Sequence, residues 1–179
     1  MPRPASDKRE RLTDAAIDLA RTTGLAEATL AAIASRAGVA QGSVYYYFKT
    51  KIDVAQAVAD GIADRLAAAR SDLGADPADA LVAFLSAYVA DADAIRAHGT
   101  LLATAAAGTG SDRAHRETLD WLTARFEELG FTGDAAHARA MHLLATVEGG
   151  AALAHALGDT SPLEREAAHL ERWVESASS

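Results

Sequence analysis

Apolar residues recur along most of this chain at the three- and four-residue spacing of a helix face, and nowhere do they alternate with period two long enough to indicate a strand. The pattern predicts an all-α protein. Leu12, Ala15, Ala16 and Leu19 mark a first helix, with Ser6 or Asp7 as its cap and Gly24 as its stop. Leu30, Ile33, Ala34 and Ala37 mark a second between a Thr29 cap and Gly38, and a third begins four residues later. Thr50 with Asp53 three positions on has the spacing of a capping box and opens a fourth helix to about Leu73. Pro77 suits a first helical turn and opens a helix through Phe84, Leu85 and Tyr88. The stretch AAAGTGSD breaks the chain near residue 110. Leu119, Leu122 and Phe126 then mark a helix ending at Gly130, and a long apolar helix follows the GFTGD turn, from about Asp134 to Leu157. Ser161 caps the last helix, with Pro162 at its first position and Leu163, Leu170, Trp173 and Val174 along it.

Composition narrows the function classes. The 179 residues are half hydrophobic, enough for a real core, and contain no cysteine, which excludes disulfides, thiol nucleophiles and cysteine-ligated metals. No apolar run approaches the roughly 20 residues of a membrane span, and the opening MPRPASDKRE lacks the apolar stretch of a secretory signal. A soluble, cytoplasmic protein with no membrane partner is expected.

Charge changes the picture more than composition does. Through Lys51 the chain carries 8 Lys and Arg against 5 Asp and Glu, a balance of +3; the rest carries 9 against 20, a balance of -11. All three lysines, Lys8, Lys49 and Lys51, lie in that basic head. Such a split points to a head that approaches a polyanion and a body that would be repelled by one.

The stretch QGSVYYYFKTK, residues 41–51, holds three of the four tyrosines. With Val44 set at 0° on a helix, Phe48 falls at about 40° and forms with it an inward stripe, whereas Gly42 and Tyr46 fall near 160° and 200°. Tyr46 is expected to point away from the core, with Ser43 and Tyr47 on one side of it and Gln41 and Tyr45 on the other. Phenols can donate to phosphate oxygens while their rings pack on sugar or a thymine methyl, and Gln41 has the bidentate preference for adenine. Lys49 and Lys51 can neutralise phosphate, and Thr29 at a helix start can offer a hydroxyl and backbone N–H groups to another. The helix lengths are those of a helix-turn-helix.

The stretch TLAAIASRAGVAQGSVYYYFKTKIDVAQAV, residues 29–58, resembles the signature of the TetR family of bacterial transcriptional regulators. The resemblance spans roughly residues 8–58. It implies a three-helix DNA-binding head, residues 1–51, and a helical body for ligand binding and dimerisation, residues 52–179. It further implies double-stranded operator DNA as partner, a homodimer, and a small-molecule effector that releases a repressor. Thr29, Gln41, Gly42, Ser43, Tyr45, Tyr46, Tyr47 and Lys51 then occupy operator-contacting positions, with Lys49 beside them. Ala31 stands where some relatives place a base-reading Arg, and Tyr47 where many have His.

In the body, the resemblance implies pairing through the last two helices. Leu143, Val147, Gly150, Leu153, Ala154, Leu157, Leu170 and Trp173 are the candidate interface, with Gly149 and Gly150 read as points of close approach because each weakens a helix interior by roughly 1 kcal/mol. Candidate pocket residues are Phe84, Tyr88, His98, Leu101, Leu102, Trp121, Phe126, Met141, His142 and Glu148, a mixture of aromatics, a thioether and a few polar groups that fits an apolar or amphipathic effector. The acidic body argues against a large anion, unless a local Arg overrules it. Two rival readings are an all-helical di-metal carboxylate enzyme and a constitutive DNA-binding protein without effector. The first rests on EAAH, Glu166–His169, which lacks the second copy and further glutamates such a centre needs; the second would want a basic body. No cofactor, metal or catalytic set is expected.

Overall fold

A computed structural model describes residues 5–109 and 111–177, leaving out the side chains of 5–7, 108–109 and 177. Among these residues the chain forms ten helices: α1 Ala5–Thr23, α2 Leu30–Ala37, α3 Gln41–Tyr47, α4 Lys51–Ser71, α5 Pro77–Ala90, α6 Ala92–His98, α7 Leu101–Thr109, α8 Arg113–Glu128, α9 Asp134–Leu157 and α10 Ser161–Ala177. Helix α1 already begins at Ala5, ahead of the expected cap at Ser6 or Asp7, whose side chains lie outside the described residues. Helices α6 and α7 occupy a stretch whose pattern predicted none. The break expected at AAAGTGSD lies at its far end, since α7 continues through Thr109.

The chain folds as two compact units, Met1–Arg65 with Leu101–Ala114, and Leu66–Thr100 with His115–Ser179. In the first, α1 packs on α2, α2 on α3 and α1 on α7. Its core is Leu12, Ile17, Ile33, Val44, Phe48 and Ile62, each almost fully buried, and burying each such side chain stabilises the unit by about 1.5–3 kcal/mol. Gly61 lets α4 lie against α1: a Cβ there would sit 2.7 Å from Thr13 Cγ2 and 2.9 Å from Ile17 Cδ1. Polar straps join the same helices. Arg65 on α4 pairs with Asp14 on α1 at 2.5 Å, Arg36 on α2 pairs with Asp18, and Arg11 donates to the Ala37 carbonyl at the end of α2. Arg113 reaches Asp64 at 2.8 Å and Asp60 at 3.6 Å.

The second unit packs α10 against both α9 and α5, and α6 against α9. Leu81, Leu85, Leu122, Phe126, Leu143, Val147, Leu163 and Leu170 form its core. The Asp76 carboxylate caps α5, accepting from the Ala78 and Asp79 N–H groups ahead of which Pro77 stands. Helix α10 starts differently from expectation. Asp159 supplies the capping carboxylate, and Ser161 is a donor to it through both its backbone N–H and its hydroxyl; these bonds hold the Asp159 carboxyl below its ordinary pKa.

Candidate functional site

Helix α2 begins where Thr29 Oγ1 accepts the Ala32 N–H at 3.2 Å and ends at Gly38, whose φ of 63° is the left-handed conformation that glycine adopts without steric cost. That turn aims α3. Val44 and Phe48 then anchor it from below, and what remains of its circumference faces out: Tyr46 is 78% exposed, Tyr45 and Gln41 are exposed, and Gly42 has nothing within 4 Å of where a Cβ would stand. Ser43 and Tyr47 are half-buried, and the Tyr47 ring meets the Tyr46 ring edge-on at 5.0 Å, which splays two phenols across the helix end. Thr29, Lys49 and Lys51 are exposed as well. Ile52, 76% exposed immediately after Lys51, was not singled out by the pattern, where it reads as an ordinary helix residue.

The start of α4 is tied down by the expected capping box. Thr50 Oγ1 accepts the Asp53 N–H at 3.1 Å, and Asp53 Oδ2 accepts the backbone N–H groups of Thr50 at 2.9 Å and Lys49 at 2.8 Å. The Lys49 and Thr50 backbone bonds hold the Asp53 carboxyl below its ordinary pKa. Lys51 Nζ donates to the Ala26 carbonyl at 2.8 Å, so this ammonium also straps the loop before α2; two of its N–H donors remain for another acceptor.

The expected pocket residues separate into groups. Phe84, Tyr88, Trp121 and Glu148 come together in the second unit: the Phe84 ring lies 5.3 Å from Tyr88 and 5.8 Å from Trp121, and the Tyr88 hydroxyl donates to Glu148 Oε1 at 2.7 Å. Thr100 donates to the other Glu148 oxygen at 2.9 Å. Burial, then the Glu148 charge, push the Tyr88 phenol well above its ordinary pKa, so it remains a donor. Phe126 instead belongs to a core cluster with Trp173 at 5.6 Å, and His142 meets that indole edge-on at 5.2 Å. His98 and Met141 are exposed, and Leu101 and Leu102 belong to the first unit.

Sequence reasoning missed Arg70. Its side chain, in the last turn of α4, is only 7% exposed; Nη1 donates to Thr118 Oγ1 at 2.8 Å and Nη2 stands 3.7 Å from Glu117 Oε2. Burial lowers its pKa while Glu117 opposes the fall. It lines a cavity of about 360 Å³ with Ala67, Ser71, Glu117, Asp120 and Trp121. The signal available in sequence was weak, because nothing local tells a buried arginine from an exposed one.

The candidate interface residues divide by burial. Leu143, Val147, Gly150, Ala154 and Leu170 are buried by their own chain and have no surface left to offer. Gly150 serves the contact of α9 with α10, since a Cβ there would stand 3.3 Å from Leu163 Cα and Glu166 Cβ. Trp173 is half-buried in the Phe126 cluster. Leu153 and Leu157 do face out, 53% and 68% exposed, and Gly149 is exposed with open space beside it. With Ala138, Met141, His142, Ala145, Ala152 and Ala156 they make a stripe along α9 that carries no Asp, Glu, Lys or Arg.

Residues 12–58 match the family described as bacterial regulatory proteins, tetR family. Over 54 residues the chain is 44% identical to the HTH-type transcriptional regulator SrpR of Pseudomonas putida, an alignment covering 30% of this chain and 25% of that protein, so it spans about a quarter of the relative's length. A TetR transcriptional regulator from Legionella pneumophila superposes with a TM-score of 0.78 at 22% identity over 98% of both chains. A transcriptional regulator from Rhodococcus sp. Rha1 does so with 0.72 at 30% identity, over 93% of this chain and 95% of that one. These relatives are regulators of transcription, not enzymes. A head of this geometry, matched in sequence and carried on a chain whose whole length follows the same fold, belongs to the TetR family of bacterial regulatory proteins.

Proposed function

We propose that the chain is a homodimeric transcriptional repressor whose grip on operator DNA is released by a small molecule bound in its helical body. The observation that carries this is the outward face of α3: Tyr46 and Tyr45 exposed, Gly42 leaving the backbone open, and Val44 with Phe48 fixing the helix from behind. Thr29, Gln41, Ser43, Tyr47, Lys49 and Lys51 complete a surface of hydroxyls, one amide and two ammonium groups suited to phosphate and base edges. Residues 1–51 serve as the DNA-binding part and residues 52–179 as the ligand-binding and dimerisation part.

The stripe on α9 supports pairing with a second copy. Two heads related by a twofold axis would then meet successive major grooves about 34 Å apart on a pseudo-palindromic site. Release requires an effector that favours the state in which α4 has swung the heads out of that spacing; a ligand binding both states equally would shift nothing. The location of the effector is supported by the Phe84, Tyr88, Trp121 and Glu148 group and the adjoining Arg70 cavity lining. Selection from random duplexes, followed by gel shift and sedimentation, tests the reading: a twofold-symmetric site bound by a dimer is expected. A monomer bound to no preferred sequence would overturn it.

A further inference from the structure

We propose that the cavity lined by Arg70 is selective for a small organic monoacid, with the acid's carboxylate on the Arg70 guanidinium and its flat apolar body along the Trp121 indole; this deepens the ligand-responsive reading above and rests on it. A guanidinium has five N–H donors in a rigid fork. Arg70 is buried to more than nine tenths, yet among the described residues it makes one hydrogen bond, to Thr118, and its contact with Glu117 at 3.7 Å is beyond hydrogen-bond length. The Arg70 donors not bonded to Thr118 are not sealed in the core but open onto about 360 Å³ of space, where an incoming acceptor can reach them. A carboxylate is the partner whose two oxygens match that fork.

The rest of the lining sets the remainder of the molecule. Trp121 and Ala67 offer apolar surface, and the Ser71 hydroxyl one polar contact at the edge. The Arg125 guanidinium, 5.7 Å from the Trp121 ring centroid, is itself paired with Glu128 at 2.6 Å. Glu117 and Asp120 supply the negative charge of the lining. One negative charge finds a partner in Arg70, whereas a second, on a dicarboxylate or phosphate ester, would meet those two carboxylates. The acid also takes over the role Glu117 fills loosely, and it does so on the last turn of the helix whose first residue is Lys51. An effector acting there pulls directly on α4.

Calorimetric titration of the full chain with 2-naphthoate, 2-naphthamide and 2-naphthylmethylammonium tests this. The acid is expected to bind at least about tenfold more tightly than the amide or the ammonium, the ratio a charge-assisted hydrogen bond supports. Arg70→Met should remove that preference, Arg70→Lys should keep only part of it because an ammonium lacks the fork, and Glu117→Gln should tighten the acid several-fold. Equal binding of acid and amide overturns the proposal, as does tighter binding of the ammonium or an Arg70→Lys variant that binds the acid like wild type. Since Arg70→Met can fail to fold, Arg70→Lys and Glu117→Gln are read together with circular dichroism. The same samples in gel shift separate the two readings: acid bound through Arg70 with operator affinity unchanged upholds the site and overturns ligand-controlled release. Loss of acid selectivity with operator binding and release by another probe overturns the site alone.

Discussion

Helices α3 and α9 both leave apolar surface in water, but of different kinds. On α3 the exposed groups are phenols with hydroxyl tips, set next to Lys49 and Lys51 in a segment of positive balance. On α9 they are Met141, Leu153, Leu157 and a run of alanines with Gly149, in a segment of strongly negative balance and with no Asp, Glu, Lys or Arg on the stripe. A surface that is apolar with polar handles suits a wet, charged partner such as a duplex; one without handles suits another apolar face. Exposure alone therefore does not name a partner, and the chemistry of the exposed atoms does.

The severest way to break this contrast is to put a charge on the α9 stripe. Ala145 is exposed, so Ala145→Glu should leave the chain folded while setting like charges near one another across a twofold axis. Sedimentation should then show monomers, and operator affinity should fall about 100-fold or more, because two linked heads bind with an avidity that one lacks. A dimer of undiminished affinity would move the interface elsewhere. The next largest effect belongs to α3. Tyr46→Ala removes a side chain that is 78% exposed and should cost roughly tenfold in operator affinity, within the 1–3 kcal/mol range of a good base or groove contact, with helicity unchanged. Wild-type gel shifts would take Tyr46 out of the interface.

The contrast was half visible in the sequence. Around α3 the signals are local: Thr29 and Gly38 bracket α2, Thr50 with Asp53 opens α4, and Val44 with Phe48 define one side of a short helix, so direction follows from counting residues. Around α9 they are not. Helix α9 is apolar on nearly every side, so periodicity cannot tell the side that meets α10 from the side left bare, and Leu143 and Val147 read like Leu153 and Leu157. Helix α7, LLATAAAGT, fails for the same reason, having no charged side to contrast with an apolar one. Arg70 depended on Thr118, 48 residues away, a distance no local rule spans.

Lys51 sharpens the comparison at smaller scale, because it has two roles. Lys51→Ala should lower the slope of log affinity against log salt by about one unit, the share of one neutralised phosphate. Losing the bond to the Ala26 carbonyl should also loosen the loop before α2, which hydrogen exchange at residues 24–29 would register. An unchanged slope with faster exchange would leave Lys51 a strap only.

The smallest effect concerns pH and the seat of those lysines. The Asp53 carboxyl is held below its ordinary value of 3.8 by backbone N–H groups of Lys49 and Thr50, so the unfolded chain takes up the proton more readily than the folded one as pH falls. The stabilisation is complete above the unfolded value and disappears as pH drops through the lowered folded value. Between pH 5 and 8 the thermal stability gap between wild type and Asp53→Asn should therefore be constant, and it should narrow only below about pH 4. A gap that moves near neutrality would mean another group titrates through this bond network. Asp53 is fully exposed, so salt and solvent screen its charge and the gap itself stays small. Its effect on DNA binding should be readable all the same: an amide oxygen holds the Lys49 and Thr50 N–H groups more weakly than the carboxylate does, so the turn that carries the lysines loosens while they keep their charge. Operator affinity should drop modestly at unchanged salt slope, the opposite signature to Lys51→Ala and one that the α9 stripe, which carries no Asp, Glu, Lys or Arg, does not share.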